Sequence, residues 1–333
     1  MPLRALYDLP APAKLNLFLH VVGRRSDGYH LLQSVFVLID WSDKLHFELR
    51  ADGQLARHDL GPALPPDDLC LRAARALQQR SNCTLGADIL IDKVVPSGAG
   101  MGGGSSDAAT TLLALNHLWG LNWPRRRLAQ LGLALGADVP FFVGGQNAFV
   151  QGIGERLTPM RVPAAAYAVV KPPMALSTRE IFEHPLMVRD TEPVILFGSL
   201  DSTGTRVLNT VEKAVESAAA RPIDWPAEWG WDSSQGSSQG SSQVEAFFGK
   251  NDLQIPAQDQ CPEVAQAAGW LQTRYGNSRM TGSGSAVFAR VEMHKGTADS
   301  PLATFPAGEL PLGWVGRMCR SLDAHPLLGW AAD

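Results

Sequence analysis

The stretch PSGAGMGGGSSDAATTLLALNHLWG, from Pro96 to Gly120, joins a glycine-rich loop to a sequence with helical periodicity. Five glycines fall within the seven positions 98–104. Beyond them, apolar residues recur at three- and four-residue intervals, as on the buried face of a helix: Ala108, Leu112, Leu115 and Trp119. Backbone without Cβ atoms can approach a ligand closely, and the first N–H groups of the following helix point at an anion. The stretch therefore predicts a cradle for phosphate groups.

Two common nucleotide-binding loops fit this stretch poorly. Residues 98–103 satisfy the dinucleotide pattern G-x-G-x-x-G, but a dinucleotide site also needs an acid about 20 residues further on to hold the ribose. No acidic residue lies between Ala108 and Ala137, which disfavours a nicotinamide dehydrogenase. A Walker loop would end in Gly-Lys-Ser or Gly-Lys-Thr, and this loop contains no lysine. A mobile surface linker is also disfavoured, because the loop connects a candidate strand directly to a helix.

The flanking sequence predicts a mixture of strands and helices. In PAKLNLFLH, residues 12–20, alternating leucines predict a half-buried strand on which Lys14 and Asn16 share one face. Further strands are expected at 45–49, 87–93, 167–171 and 285–291, and helices at 68–80, 105–119, 125–135, 206–219 and 262–275. Because the two kinds of element do not follow a regular βαβ rhythm, we expect an α+β fold.

The length of 333 residues allows more than one domain. We place a boundary near residue 150, with an N-terminal ATP-binding domain over 1–150 that contains the glycine-rich loop. A C-terminal domain over 151–333 is expected to contribute to the substrate site. Inside it, SSQGSSQGSSQ at 233–243 is a low-complexity repeat with nothing to bury, and we interpret it as a flexible insertion.

Composition excludes several functional classes. With 45% hydrophobic residues, 19% charged residues and a formal net charge of −4, the chain is typical of a globular protein without affinity for nucleic acid. We interpret the basic cluster at 125–127 as a solvated helix start. Four scattered cysteines predict neither a zinc site nor a disulfide framework and favour the cytoplasm. No apolar run reaches the roughly 18 residues of a membrane span, so no membrane partner is expected.

Several separated motifs together point to one kinase superfamily. The string P-x-G-A-G-M-G-G-G-S-S-D-A-A at 96–109 resembles the ATP phosphate loop of the GHMP kinases, which include galactokinase, homoserine kinase, mevalonate kinase and phosphomevalonate kinase. Within that superfamily, residues 12–36 resemble the kinases of 4-diphosphocytidyl-2-C-methyl-D-erythritol. Further matches follow in the order of that family at 135–145, 152–159, 250–253 and 281–289.

The resemblance implies a two-domain fold of the GHMP type with the active site in the cleft between the domains. It also implies transfer of the γ-phosphate of ATP to the 2-hydroxyl of 4-diphosphocytidyl-2-C-methyl-D-erythritol in the non-mevalonate route to isoprenoid precursors. The substrate would thus be a small molecule with a cytidine diphosphate group. Mg²⁺ is expected with ATP because it bridges phosphate oxygens in such transfers, although its protein ligands cannot be read from the sequence.

Phosphoryl transfer to an alcohol requires a proton acceptor and a fixed charge near the reacting oxygen. Asp138, in Gly-Ala-Asp-Val-Pro, matches the catalytic aspartate of the family and is expected to be the general base. Lys14 matches the lysine beside that aspartate, where an ammonium favours the ionised carboxylate. Without the resemblance, Asp138 would more often be a turn or cap residue and Lys14 a solvated lysine.

A second group of residues resembles the family's substrate-binding set. Tyr29 and His30 match residues that contact the cytidine base, the tyrosine by stacking and the histidine as a neutral partner that hydrogen-bonds the base edge. Phe182 falls where the family places an aromatic on the other side of the base, and stacking contributes about 1–3 kcal/mol per base. Asn16 and Thr178 complete this set. Read locally, residues 27–30 are only a turn and Phe182 a core residue.

For ATP, we expect the backbone amides across 100–106 to hold the phosphates, with two serine hydroxyls nearby and a lysine close to the adenine. The predicted ATP-binding residues are Lys93, Pro96, Gly98, Ala99, Gly100, Met101, Gly102, Gly103, Gly104, Ser105 and Ser106. A second glycine turn at 282–285 should pack against the loop. Asp68 replaces the family's asparagine and cannot donate a hydrogen bond while ionised, which puts an adenine contact there in doubt.

Two alternatives stay open at this point. The chain resembles other GHMP kinases as well, so homoserine, mevalonate and other alcohols stay open as its acceptor, although Tyr29, His30 and Phe182 favour a pocket that reads a base. An inactive nucleotide-binding module is disfavoured by the presence of Lys14 and Asp138 beside an intact loop. Protein partners and the oligomeric state cannot be read from the sequence.

Overall fold

The structure, a computed structural model, describes residues 3–194, 198–200, 206–208, 222–226, 250–291, 305 and 308–333. In chain order the strands are β1 (Ala5–Arg24), β2 (His30–Arg50), β3 (Leu55–Asp59), β4 (Gly86–Asp92), β5 (Ala148–Gly152), β6 (Arg156–Arg161), β7 (Ala166–Lys171), β8 (Gly198–Leu200), β9 (Arg206–Leu208), β10 (Ile223–Asp224), β11 (Ser278–Met280), β12 (Val287–Val291) and β13 (Val315–Leu322). The helices are α1 (Leu69–Ser81), α2 (Gly103–Leu118), α3 (Arg125–Leu133), α4 (Val139–Gly144), α5 (Thr178–Glu183), α6 (Gln254–Gln260) and α7 (Pro262–Tyr275). A short 3₁₀ turn covers Leu328–Trp330.

One large sheet connects the early and late parts of the chain. Eleven strands belong to it, and β2 holds it together by pairing antiparallel with β1, β4, β5 and β13. Strand β13 pairs in turn with β7, which continues through β12 to β11. Among the described pairings, β3 with β4 and β10 with β6 are parallel. This mostly antiparallel sheet with separate helices confirms the predicted α+β fold.

Helix α2 lies in the middle of a hydrophobic core formed with α1, α4 and the strands β2 and β4. It is buried nearly all round, because its inner turns carry small or aliphatic residues that admit close packing: Ala108, Ala109, Leu112, Leu113, Ala114 and Leu115. The helix begins at Gly103, two residues earlier than its periodicity predicted. Neither Ser106 nor Asp107 caps it, because the Ser106 hydroxyl donates to the Pro12 carbonyl and the Asp107 carboxylate binds Lys93.

The prediction of a half-buried strand at 12–20 is wrong in one respect. Strand β1 is buried on both faces over residues 11–21. One face carries the predicted leucines, and the face with Lys14 and Asn16 is covered by the glycine-rich loop and by Thr281. The alternation of apolar and polar residues therefore marks two buried environments.

Arg125 corrects a second expectation, that residues 125–127 are a solvated helix start. Its side chain is largely buried and donates to the carbonyls of Val143 and Ala331, at 2.8 Å each, and to that of Leu328. Arg127 lies over the Trp123 ring at 3.4 Å from its centroid. Arg125 thus fixes the end of α4 to the last residues of the chain, whereas Arg126 and Arg127 are exposed as expected.

The remaining sequence predictions have mixed outcomes. Strands and helices occur at the other predicted places, but Arg206–Leu208 is a strand, and the rest of the helix expected at 206–219 lies outside the described residues, as does the insertion at 233–243. Strand β5 spans residue 150, so the proposed boundary falls within the shared sheet. The division into two domains stays a prediction. No helix in the described ranges has both the length and the apolar character needed to cross a membrane.

Candidate active site

Three glycines give the loop at 98–104 its shape. Gly98, Gly100 and Gly102 have φ values of +61°, +71° and +70°, a region that favours glycine. Each also lacks room for a side chain: a Cβ would lie 2.8 Å from that of Ala175 at Gly98, would overlap the Thr281 carbonyl at Gly100, and would lie 2.9 Å from the Phe142 ring at Gly102. The loop is therefore fixed by close packing as well as by its dihedral angles.

The first turn of α2 leaves donors for an anion. Gly102 occupies the N-cap position without a side-chain cap, and the first N–H that bonds back into the helix is that of Ser106, to the Gly102 carbonyl at 2.9 Å. The amides of 103–105 find no acceptor among the described residues. Uncapped N–H groups at the positive end of a helix dipole bind anions, so this turn can hold a phosphate.

Lys14 is attached to the loop through its own backbone. Its N–H donates to the Met101 carbonyl at 3.0 Å, and its side chain, 4% exposed, passes beside Gly102. The ammonium lies 4.5 Å from the Phe36 ring centroid and donates to Asn16 Oδ1 at 2.5 Å. Lys14 and Asn16 thus share one face, as predicted.

Asp138 is a second polar partner of the Lys14 ammonium. Its Oδ2 lies 3.6 Å from Lys14 Nζ, which is an ion pair longer than a hydrogen bond. Although Asp138 precedes α4, its side chain makes no cap hydrogen bond, and it is 30% exposed. Asp138 thus occupies the turn and N-cap position before α4 that its local sequence favours, but it makes no capping hydrogen bond with its side chain. We call Lys14, Asn16 and Asp138 the Lys14 corner.

Burial and charge act on Lys14 in opposite directions. Burial lowers the pKa of its ammonium, and the nearby Asp138 carboxylate partly restores it, with a net pKa below the ordinary value of 10.5. The charged lysine consequently depends on Asp138, which lies more than 120 residues away in the chain.

A hydrogen-bond network holds the third member of the corner. Asn16 donates from Nδ2 to Ser34 Oγ at 3.0 Å, and its backbone N–H donates to Thr281 Oγ1 at 2.9 Å. Thr281 Oγ1 lies 3.3 Å from Asn16 Oδ1, so this amide oxygen is close to both a hydroxyl and the Lys14 ammonium. Asn16 is 2% exposed. Its predicted contact with substrate stays a prediction, and the network shows that it orients Lys14.

Two predicted ATP ligands are already bound to protein groups. Lys93 Nζ contacts Asp107 Oδ2 at 2.6 Å and also Asp43, whose other oxygen accepts the N–H groups of Val94 and Val95 at 2.6 Å. Burial and the neighbouring Asp43 carboxylate raise the pKa of Asp107. The buried Ser106 hydroxyl donates to Pro12, whereas Ser105 is partly exposed. An adenine contact by Lys93 stays a prediction.

The predicted base-binding residues lie near the turn between β1 and β2. His30 and Phe182 are stacked, with ring centroids 5.0 Å apart and planes inclined by 22°, and we call them the ring pair. Tyr29 is 60% exposed beside them in sequence. Thr178 begins α5, and its hydroxyl lies 2.7 Å from that of Ser283 in the second glycine turn. That turn packs on the loop as expected, since Ser285 N and Ala286 N donate to the carbonyls of Gly98 and Ala99, both at 3.2 Å.

Asp68 has a structural use at the position where the family carries asparagine. Its Oδ1 accepts the N–H of Leu71 at 3.1 Å and pairs with Arg57 at 2.9 Å, so it caps α1. Arg57 also donates to the carbonyls of Leu64 and Pro65 and thereby fixes the segment before the helix.

Two residues at the site were not predicted from the sequence. Thr281 lies inside the matching segment at 281–289 but received no role, and Arg189, which contacts His30, lies in no motif. The one feature of the sequence that could have indicated Thr281 is its hydroxyl next to a glycine turn. Arg189 gave none, because a single arginine in a loop is ordinary.

Known proteins resemble this chain over its whole length. The family model of the GHMP kinases N terminal domain matches residues 68–146. A protein of Methylibium petroleiphilum named 4-diphosphocytidyl-2-C-methyl-D-erythritol kinase is 58% identical over 99% of this chain and 100% of its own length. A protein of Variovorax paradoxus with the same name is 52% identical over 99% and 100%.

Solved structures agree with these relatives. A crystal structure of 4-(cytidine 5'-diphospho)-2C-methyl-D-erythritol kinase has a TM-score of 0.62 and 32% identity, with 86% of this chain and 90% of that chain covered. The homoserine kinase of Cytophaga hutchinsonii has a TM-score of 0.60 at 14% identity, with 97% and 96% covered, which shows the GHMP kinase fold. On this full-length identity, the chain belongs to the 4-diphosphocytidyl-2-C-methyl-D-erythritol kinase family.

Proposed function

We propose that this protein catalyses the reaction of its family, the transfer of the γ-phosphoryl group of ATP to the 2-hydroxyl of 4-diphosphocytidyl-2-C-methyl-D-erythritol. Family membership makes ATP the phosphate donor and places the reaction in isoprenoid precursor biosynthesis. The observation that supports the mechanism best is the ion pair of Lys14 and Asp138 beside the glycine-rich loop.

Asp138 is the proposed general base. Apart from the ion pair with Lys14, its carboxylate makes no bond to another described residue, and it is partly exposed, so it can accept a proton from a bound alcohol. The 3.6 Å separation leaves the carboxylate without a hydrogen bond from the ammonium. A substrate hydroxyl can therefore bind Asp138 without displacing a tight protein contact.

Lys14 is proposed to stabilise the negative charge that develops on the attacking oxygen. Its ammonium is hydrogen-bonded to Asn16 and paired in charge with Asp138, so the charge is in place before substrate binds. The free amides of 103–105 would hold ATP phosphates at the positive end of α2. The hydrogen bond from Lys14 N to the Met101 carbonyl attaches the strand that carries the lysine to the phosphate cradle.

Magnesium fits this site as part of Mg-ATP. Mg²⁺ commonly takes phosphate oxygens and water with one or two carboxylates, and it neutralises charge on the transferred group. In the described part of the chain, no three His, Cys, Asp or Glu side chains form a metal-binding cluster. Asp107 is engaged by Lys93, so the available carboxylate at the Lys14 corner is that of Asp138.

The two-domain arrangement is part of the proposal. Lys14 and Asp138 come from the first 150 residues, whereas Phe182 and Thr281 come from the later part and contact His30 and Asn16 of the earlier part. These contacts support a substrate site between two domains. A cytoplasmic location suits the four cysteines, all of which are free thiols.

A substrate panel tests the proposal. Purified protein with Mg-ATP would be offered the cytidyl substrate, the same diphosphate without cytosine, homoserine and mevalonate, and transfer followed by phosphorus NMR. We expect transfer to the cytidyl substrate alone. Transfer only to homoserine or mevalonate would overturn the substrate assignment, and no transfer to any acceptor would favour a nucleotide-binding module without catalysis.

A further inference from the structure

Arg189 forms a clamp between the ring pair and the segment after α5. Its guanidinium donates from Nη1 to the Met187 carbonyl at 3.0 Å, and from Nη2 to the carbonyls of Phe182 and His184 at 3.2 and 3.1 Å. Its Nε donates to His30 Nε2 at 3.3 Å. Three backbone acceptors thus fix the direction from which the arginine reaches the histidine.

This contact decides which ring nitrogen of His30 carries the proton. A guanidinium has only donors, so the nitrogen that it contacts must offer a lone pair. Neutral imidazole has one donor and one acceptor nitrogen. Because Nε2 accepts from Arg189, the proton lies on Nδ1.

The surrounding charges also keep His30 neutral. Burial lowers the pKa of its imidazole, and the positive charges of Arg189 and Arg24 lower it further. Arg24 acts through its charge alone, since its Nε donates to the Gly28 carbonyl at 3.1 Å and not to the histidine. A second proton would make His30 positively charged, and the charges of both arginines oppose this.

We propose that Arg189 is a specificity-determining positioning residue, which holds His30 as the neutral Nδ1–H tautomer so that this N–H donates to an acceptor on the cytosine edge. The proposal rests on the proposed function, because it assumes that the ring pair contacts the base of the substrate. The family resemblance implies that His30 hydrogen-bonds the base, and the proposed role of Arg189 explains why His30 offers a donor.

The chemistry of the two pyrimidines makes this donor selective. N3 of cytosine is an acceptor, whereas N3 of uracil carries a hydrogen, so a fixed Nδ1–H matches cytosine and opposes a uracil donor. Among the described residues, no hydrogen bond occupies His30 Nδ1. The Phe182 ring covers one face of the imidazole and limits its rotation, so the donor keeps its direction.

Nitrogen NMR of the whole protein labelled with ¹⁵N-histidine tests the tautomer directly, with His30 assigned by the loss of its signals in His30→Gln. At neutral pH we expect the wild-type protein to show a protonated Nδ1 and an unprotonated Nε2. Arg189→Met should give a mixture of tautomers and a raised pKa. The matched control Arg24→Met removes a nearby positive charge but not the hydrogen bond, so it should raise the pKa and leave the tautomer unchanged.

A kinetic comparison tests the consequence for specificity. Arg189→Met should raise KM for the cytidyl substrate by about 10-fold or more, the effect of losing one oriented hydrogen bond, and should reduce the preference over the uridine analogue. KM for ATP should not change. Arg189→Lys keeps the positive charge but not the planar set of donors of the guanidinium, and it provides a second variant if the methionine variant does not fold.

The outcomes separate the two proposals. A wild-type His30 protonated on Nε2, or charged at neutral pH, would overturn the role of Arg189 whatever the enzyme phosphorylates. An unchanged preference for cytidine in both Arg189 variants would also overturn it. A protein with the expected tautomer that does not phosphorylate the cytidyl substrate would refute the proposed function instead.

Discussion

The Lys14 corner and the ring pair are built in different ways. Lys14 and Asn16 are buried, and each is held by bonds to segments far away in the chain, such as Thr281 and the glycine-rich loop. The ring pair lies near the surface beside the exposed Tyr29, and Arg189 holds it from one loop. The comparison suggests that the proposed chemistry is placed in the buried interior, whereas the proposed substrate selection depends on a few side chains near the surface that Arg189 holds in place.

The strongest test of this difference removes the proposed base. Asp138→Asn should lower kcat by about 10²–10⁴-fold, the usual contribution of a general base, with little change in KM for either substrate. Asp67→Asn is a suitable control, because Asp67 is exposed and pairs with Arg75 at the surface. Steady-state kinetics would check both variants, and undiminished turnover in Asp138→Asn would refute the role.

A substitution at Gly100 would disturb the close packing of the glycine-rich loop beside the Lys14 corner. Gly100→Ala should lower the free energy of unfolding by about 3 kcal/mol and weaken ATP binding by about 100-fold, since it combines a disfavoured φ with a clash against the Thr281 carbonyl. Gly269→Ala in α7 has open space and should be neutral or slightly stabilising. Urea unfolding and ATP titration would measure the two effects. Equal stability of the two variants would contradict a packed loop.

The ring pair should respond differently, through substrate affinity. Phe182→Ala removes one ring of the proposed base-binding site, and we expect KM for the cytidyl substrate to rise by about 10- to 100-fold at nearly constant kcat. Phe182→Tyr should retain most of the affinity. If Phe182→Ala lowered kcat and left KM unchanged, the separation of the two regions would be wrong.

A milder change probes the network behind Lys14. Thr281→Val keeps the shape of the side chain but leaves the buried N–H of Asn16 without its acceptor, at a cost in stability of about 1–3 kcal/mol. We expect kcat to fall by about 10-fold because Asn16 no longer holds the lysine firmly. Thr281→Ser retains the hydroxyl and should restore kcat. Failure of serine to do so would assign the loss to packing.

The dependence of the kinetic constants on pH should distinguish the Lys14 corner from the ring pair, and we expect its effects to be the smallest. Lys14 is proposed to act in its charged form and has a pKa below 10.5, so kcat should fall as the pH rises through that lowered pKa. His30 is proposed to act in its neutral form and has a pKa below 6.5, so KM for the cytidyl substrate should rise as the pH falls through it. Measuring kcat and kcat/KM as functions of pH would check the direction of both changes. An alkaline limb of kcat at or above 10.5 would contradict the assignment to Lys14.

The sequence predicted the parts of the site that depend on local geometry. Glycines at 98, 100 and 102 could be recognised because positive φ is a requirement of each position alone. The partnership of Lys14 with Asp138 came from the family resemblance, and the structure brings the two together. The α+β fold followed from the order of strands and helices.

Other features depend on contacts that no local pattern contains. The ion pairs of Lys93 with Asp43 and Asp107 join three separate parts of the chain, so no local pattern could predict this buried ion cluster, and the role of Lys93 in ATP binding stays a prediction. Burial of both faces of β1 depends on the glycine-rich loop and Thr281 folding over it. The reach of Arg189 to His30 joins positions 159 residues apart.

The bond between Asn16 and Thr281 also has a consequence for synthesis on the ribosome. These residues are 265 positions apart, so most of the chain must be translated before the hydroxyl that orients Asn16 exists. Lys14 and Asp138 emerge much earlier but lack that support. Contacts between such distant residues also form late and slowly in folding. A nascent chain stalled before Thr281 should therefore carry both proposed catalytic side chains and yet be unable to phosphorylate its substrate.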